Sequence, residues 1–348
     1  MVATFGRSHL CQEHDTHRIA GQEALGGADR GPAQMPEKGV ITISAYLIRR
    51  LLQSILVIVG VSIVVFVITR AIGDPARMSL PLEATDEQVE AYAQRMGFRD
   101  PLVVQFWNWA SKALRGDFGD SLWQREPAMG LVLERLPATL QLCFTAIVIA
   151  VAGSIPLGIL AALRPRSWLD KLTTSFSLVG VCIPDFWLGL MLILLLAVYF
   201  HLFFTSGYGT PKHLVLPAIT LAARPWGRIT QIVRSSMMDE LHRTYMMTAR
   251  AKGLAESKVI VSHALKNASI PIVTLAAWEL TRMLAGYTIV VETVFAWPGF
   301  GQLAMQAIEE RDLTLIQADV FLVALIVVAM NIAIDFVYAA IDPRVRLD

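Results

Sequence analysis

The sequence predicts an all-α membrane protein with six transmembrane helices, and three observations predict it. Apolar residues make up 55% of the 348 residues against 17% charged, and the mean hydropathy of +0.52 lies outside the range of ordinary water-soluble domains. The apolar residues gather in runs of about 20 or more, the length needed to cross the hydrocarbon core of a bilayer. Basic residues cluster in alternate turns between these runs, which orders the spans relative to the membrane. A net charge of +1 gives no support to nucleic-acid binding. Cys11, Cys143 and Cys182 show no paired spacing, and neither a disulfide nor cysteine chemistry is expected.

Residues 1–44 are polar and Gly-rich without helical or strand periodicity, so a disordered cytoplasmic tail is expected. Translation from Met35 is an alternative that an intact mass would separate. Cys11, His14 and His17 lack a fourth ligand and a folded frame and are not read as a metal site. The first span covers Leu47 to Thr69, flanked by Arg49 and Arg50 and without a small-residue cleavage site, as in an uncleaved anchor. Residues 70–136 form the longest polar stretch and are expected outside the cytoplasm. Within it, amphipathic helices are predicted over Glu87 to Met96 and Leu102 to Leu114, the latter keeping Trp107 and Trp109 at the bilayer interface.

The second span is read from Leu136 to Leu163. The third, Leu172 to Phe204, is too long for one straight crossing and is broken at Ile183-Pro184-Asp185. The fourth, Leu214 to Met237, is the least apolar. Arg234 sits at its edge and can snorkel, whereas Arg224 and Arg228 lie deeper and four apart, on one helical face. Both a path-lining role and simple pairing with a neighbour are open for those two. The fifth span runs from Ile270 to Val294, with Glu279 and Arg282 three apart, suited either to neutralise each other or to meet a substrate. Pro298, Gly299 and Gly301 then make a tight turn in which Trp297 suits the interface. The sixth span, Leu315 to Ile341, contains Asn331 and Asp335; Asp342-Pro-Arg-Val-Arg346 returns cations to the inside.

Between the fourth and fifth spans, residues 238–267 are too charged for lipid and too regular for a slack loop. Good helix formers run from Tyr245 to Lys252, Gly253 suits a left-handed cap, and Glu256 favours the first turn of a second helix. Val259, Ile260, Ala264 and Leu265 give that helix an apolar side away from Lys258 and Lys266. An interfacial basic helix is the plain alternative.

Ala249 and Gly253, four apart in this loop, resemble the Ala and Gly of the EAA loop in permease subunits of bacterial ABC importers. Thr248-Ala-Arg-Ala-Lys-Gly-Leu254 and His263-Ala-Leu-Lys-Asn267 are similar to the dipeptide/oligopeptide branch, although Met247, His263 and Lys266 depart from the general motif's Glu, Ile and Pro. Gly116-Asp-Phe-Gly-Asp-Ser121 and Val290 to Gly301 resemble further strings of that branch.

The resemblance implies the type I ABC importer permease fold in a bacterial inner membrane, with both termini cytoplasmic and Thr248, Ala249, Arg250, Lys252, Gly253, Leu254 and His263 in the coupling helix that docks on an ATPase. It implies a second homologous permease, two ATPase subunits and an extracytoplasmic binding protein as partners. ATP and Mg belong to those partners, since no Gly-x-x-x-x-Gly-Lys-Ser/Thr string occurs here. Glu279, Arg282, Arg224, Arg228 and Asn331 are the candidate substrate path, for short peptides or, in close relatives, nickel complexes or glutathione. An ion-coupled secondary transporter is the rival class, but no internal repeat is visible; a membrane enzyme would need a catalytic constellation that is absent.

Overall fold

The computed structural model describes residues 43–78, 80 and 83–341. The expected tail with Cys11, His14 and His17, and the basic ending at Arg344 and Arg346, lie outside the described residues. All regular structure among the described residues is helical apart from one isolated bridge, Asp120 to Pro127. In chain order the helices are α1 (Ile43–Ile72), α2 (Pro75–Met78), α3 (Asp86–Arg95), α4 (Leu102–Ala113), α5 (Ala128–Leu163) and α6 (Trp168–Cys182). There follow α7 (Asp185–Tyr199), α8 (Pro211–Leu241), α9 (Thr244–Ala251), α10 (Glu256–Phe295), α11 (Phe300–Glu309) and α12 (Leu313–Ile341).

Four of these, α1, α5, α10 and α12, are long and apolar enough to cross a membrane, and the bent pair α6–α7 adds a fifth crossing if counted as one span. The break falls at Ile183-Pro184, as the sequence predicts: Pro184 cannot donate a helical hydrogen bond, and the two arms meet at 104°. The remaining expected span, the fourth in the chain, is α8. Its 31 residues are long enough at about 1.5 Å each, but Arg224, Arg228 and Arg234 lower its hydropathy below that of the others. It is instead among the most enclosed helices, packed against α5, α6, α7 and α10, with Leu216, Ile229, Val233 and Met237 fully buried. Charges within a span are tolerated where the bundle supplies partners. Gly227 permits the tight contact with α6, since a Cβ there would lie 2.3 Å from the Ser177 carbonyl oxygen. By contrast α1 stands at the periphery against α12, with Leu52, Leu56 and Val64 turned outward.

Some boundaries differ from the sequence expectation. The second span begins at Ala128, because Pro137 is accommodated inside a continuous α5. The second helix of the polar loop and the fifth span run together as α10, with π-helical turns at Val259–Leu265 and Met283–Tyr287 and a kink at Gly286, whose φ of +134° breaks the helical backbone. The amphipathic helices appear as α3 and α4. Thr85 caps α3 in a reciprocal capping box with Gln88. Trp107 is exposed, but Trp109 turns inward, packing on Phe66, Phe106 and Phe118 and donating its Nε1–H to Gln317 Oε1 at 2.9 Å.

Candidate functional site

The deep arginines are resolved into a connected cluster in mid-bundle. Arg224 lies 3.4 Å from Asp185, the residue that opens α7 immediately after the break. Arg228 Nη1 donates to Glu279 Oε1 at 2.8 Å. Arg282 reaches the same Glu279 oxygen only at 3.9 Å and gives its Nη2–H to Tyr287 Oη at 2.7 Å. The expected neutralisation of Glu279 by Arg282 within one helix is therefore secondary: the closer partner comes from α8, 51 residues earlier. The guanidiniums of Arg224 and Arg282 also lie 5.7 and 5.1 Å from the Tyr287 ring, which ties the two ion pairs together.

Arg234 does not simply snorkel. It grips Asp170 of α6 through Nε and Nη2 at 2.5 and 2.8 Å, fixing the α6–α8 crossing. Asn331 is half-buried on α12, one turn before Asp335, which pairs with Arg50 of α1 at 2.5 Å. Asn331 thus belongs to the α1-facing side of α12, and among the described residues no hydrogen bond joins it to the arginine cluster.

A second knot closes the far end of α10, and sequence reasoning missed its centre. Glu292 is fully buried, accepting from Thr139 Oγ1 at 2.7 Å and from the Gln302 backbone N–H at 3.0 Å. Thr139 Oγ1 in turn accepts from the Phe300 N–H at 3.1 Å. A Cβ on Gly299 would stand 2.3 Å from the Glu292 carboxyl carbon, so only glycine lets the turn fold over it. Trp297, expected at the lipid interface, is instead 1% exposed, with its Nε1–H on the Ala138 carbonyl. The turn carries it back into the bundle. Nearby, Asp312 caps α12 and accepts from Ser121 Oγ at 2.6 Å, anchoring the Gly116–Ser121 turn. An acidic residue inside an apolar run was the available signal for both Asp185 and Glu292, but not for their partners.

The polar loop forms the expected helix, glycine, helix. Gly253 has φ of +76° and donates its N–H to the Arg250 carbonyl at 2.9 Å, ending α9. Thr248, Arg250, Lys252 and Gly253 are exposed, Leu254 and His263 are half-buried, and Ala249 is buried with Met246, Val259 and Ala264, so it holds α9 down. Arg250 pairs with Glu256 at 2.8 Å across the glycine. Tyr245 joins three elements, donating to Glu240 of α8 and accepting from Asn267 Nδ2 of α10 at 2.9 Å. Burial and the neighbouring Glu240 push the Tyr245 phenol above its ordinary range. The loop is consequently tied to the helices at its base.

A helical bundle with several helices long and apolar enough to cross a membrane, paired charges within it and a braced helix pair on its surface defines a polytopic membrane protein. Residues 154–347 match the family described as binding-protein-dependent transport system inner membrane component, and residues 43–143 match the N-terminal model of such membrane components. The chain belongs to this family, the permease subunits of ABC importers. It is 37% identical over 316 residues to the oligopeptide transport system permease protein AppB of Bacillus subtilis (strain 168), covering 87% of this chain and all of that one. It is 38% identical over 302 residues to the glutathione transport system permease protein GsiC of Escherichia coli (strain K12), covering 86% of this chain and 98% of the relative. In fold it is similar to a chain of the inward-facing MetNI methionine ABC transporter, with TM-score 0.52 and 20% identity over 62% of this chain and 97% of the other.

Proposed function

We propose that this chain forms half of a membrane path for short peptides and is energised by separate ATPase subunits docking on residues 238–267. The observation that carries this reading is the Gly253-hinged helix pair, whose polar face is exposed while Ala249, Val259 and Ala264 fix it to the bundle. Closure of two ATPase subunits around ATP and Mg would push such a braced element as a rigid body, switching the spans between outward and inward openings. Thr248, Arg250, Lys252 and Gly253 provide the exposed contacts, and Leu254 and His263 border them. This orientation places the loop and both termini in the cytoplasm and the α3–α4 segment outside, where a binding protein would deliver cargo. Glu279, Arg282, Arg224 and Arg228 line the path, with Asn331 on its α1 side. A second, homologous permease completes the path.

Glutathione is the second reading, favoured by the 38% identity to relatives named as glutathione permeases; it is itself a short peptide and uses the same architecture. The experiment is affinity capture of the tagged chain in mild detergent, followed by mass spectrometry and uptake assays. Recovery of a second permease and ATPases, with vanadate-sensitive peptide uptake, supports the proposal. Recovery of the chain alone, active under an ion gradient, would transfer it to the secondary transporters.

A further inference from the structure

The mid-bundle cluster holds three guanidiniums and two carboxylates, and the cation in excess can be identified. Asp185 takes Arg224, and Glu279 takes Arg228 at 2.8 Å. Arg282 is left with a 3.9 Å approach to an oxygen already in use and a hydrogen bond to Tyr287, a neutral partner. Among the described residues no third carboxylate is paired with these arginines. The arrangement is also layered. The Asp185 and Glu279 side chains are 14% and 5% exposed, whereas those of Arg224, Arg228 and Arg282 are 26%, 29% and 32% exposed. The carboxylates form the floor and the guanidiniums the open surface. A positive charge inside a span with only a distant, shared counter-ion is costly, and a mobile anion entering the path would neutralise it.

We propose that Arg282, held against Tyr287 beside Arg224, is an anion-accepting subsite that takes the carboxylate terminus of the translocated peptide. The inference rests on the peptide-permease reading and adds to it a sign: cargo with a free carboxylate is favoured and cargo without one is disfavoured. A planar guanidinium matches a carboxylate in both charge and geometry. Arg224 and Arg228 are committed to holding the buried carboxylates, which makes Arg282 the residue to vary.

The test uses the complete permease and ATPase complex in lipid nanodiscs, without the binding protein, whose own selectivity would mask that of the path. Binding of dialanine and of dialanine amide is measured for wild type, Arg282→Gln and Arg282→Lys. Wild type is expected to bind the free acid at least about tenfold more tightly than the amide, the scale of one charge-assisted hydrogen bond. Arg282→Gln abolishes that preference while keeping its affinity for the amide, and Arg282→Lys retains part of the preference. The thermal midpoint of Arg282→Gln stays near wild type, because Arg228 still holds Glu279. Equal binding of acid and amide by wild type, as when a partner subunit's carboxylate already covers Arg282, overturns the subsite. So does equal loss of both probes in a folded Arg282→Gln complex, or a wild-type complex that transports dialanine yet binds neither probe. The peptide reading is judged separately, by vanadate-sensitive dialanine uptake with the binding protein present; absence of that uptake overturns the peptide reading and the subsite with it.

Discussion

Removing Arg228 should destabilise the bundle far more than removing the ion pair as a whole. Glu279 is 5% exposed at the side chain and receives Arg228 at 2.8 Å, with Arg282 as a poorer partner at 3.9 Å. At an effective dielectric near 20, the gross attraction at the shorter distance is about 6 kcal/mol. Most of that offsets the desolvation of the two charges. Arg228→Met leaves Glu279 buried beside Arg282 alone, and breaking such a pair costs about 3–5 kcal/mol, toward the lower end because Arg282 can close in. Glu279→Met frees both Arg228 and Arg282 and should cost less, about 1–2 kcal/mol, because their side chains are 29% and 32% exposed and less desolvated than the buried carboxylate. The double substitution Arg228→Met/Glu279→Met replaces two matched charges by apolar groups and should return to within about 1 kcal/mol of wild type. The assay is a double-mutant cycle on the midpoint of thermal unfolding in detergent, followed by size-exclusion chromatography. A double variant as unstable as the two single losses added together would refute the pairing across α8 and α10.

Gly299→Ala should abolish a monodisperse product at ordinary growth temperature, because the added Cβ lies 2.3 Å from the carboxyl of fully buried Glu292 and relief requires giving up the bonds from Thr139 and Gln302; normal yield and melting would show that the turn has slack. At Gly253 nothing lies within 4 Å of an added Cβ, so Gly253→Ala meets only the left-handed backbone cost of about 1–2 kcal/mol. Gly253→Pro cannot reach φ of +76° and loses the bond to Arg250, so uptake should be partly kept in the first variant and lost in the second, with both chains still in the membrane. Equal uptake in the two would remove the hinge from the mechanism. Asp312→Ala deletes the acceptor of Ser121 and the cap of Leu315 and should cost about 2–4 kcal/mol. Limited proteolysis should then cut at residues 116–126 before the spans unfold; unchanged protection of that turn would contradict its anchoring by Asp312.

The spans, the break at Pro184 and the helix, glycine, helix of residues 244–265 were legible because each is a local property. Hydropathy sums along the chain, proline removes its own hydrogen bond, and Gly253 adopts its φ without a side chain to oppose it. The candidate site was legible in part. Arg224, Arg228, Glu279 and Arg282 were identified as costly charges in apolar runs, and the structure gathers them. Their pairing was not legible: helical spacing couples Glu279 to Arg282 three residues on, whereas α8 supplies the closer Arg228. Trp297 illustrates the same limit, since an aromatic at the end of an apolar run suits the interface until the Gly299 turn folds it inward.

The sequence by itself determined that this chain crosses a membrane as helices, that its third span breaks at Pro184, and that it belongs among permease subunits. Those conclusions depend on composition, periodicity and strings of adjacent residues. Only the tertiary structure decided that Asp185 answers Arg224, that Asp170 answers Arg234, and that Glu292 is closed over by Thr139 and the Gln302 N–H. It also decided which arginine is left without a carboxylate of its own. A charge inside a bilayer must find a partner, but which one it finds depends on which helices pack side by side, and that is set by contacts between residues distant in the chain.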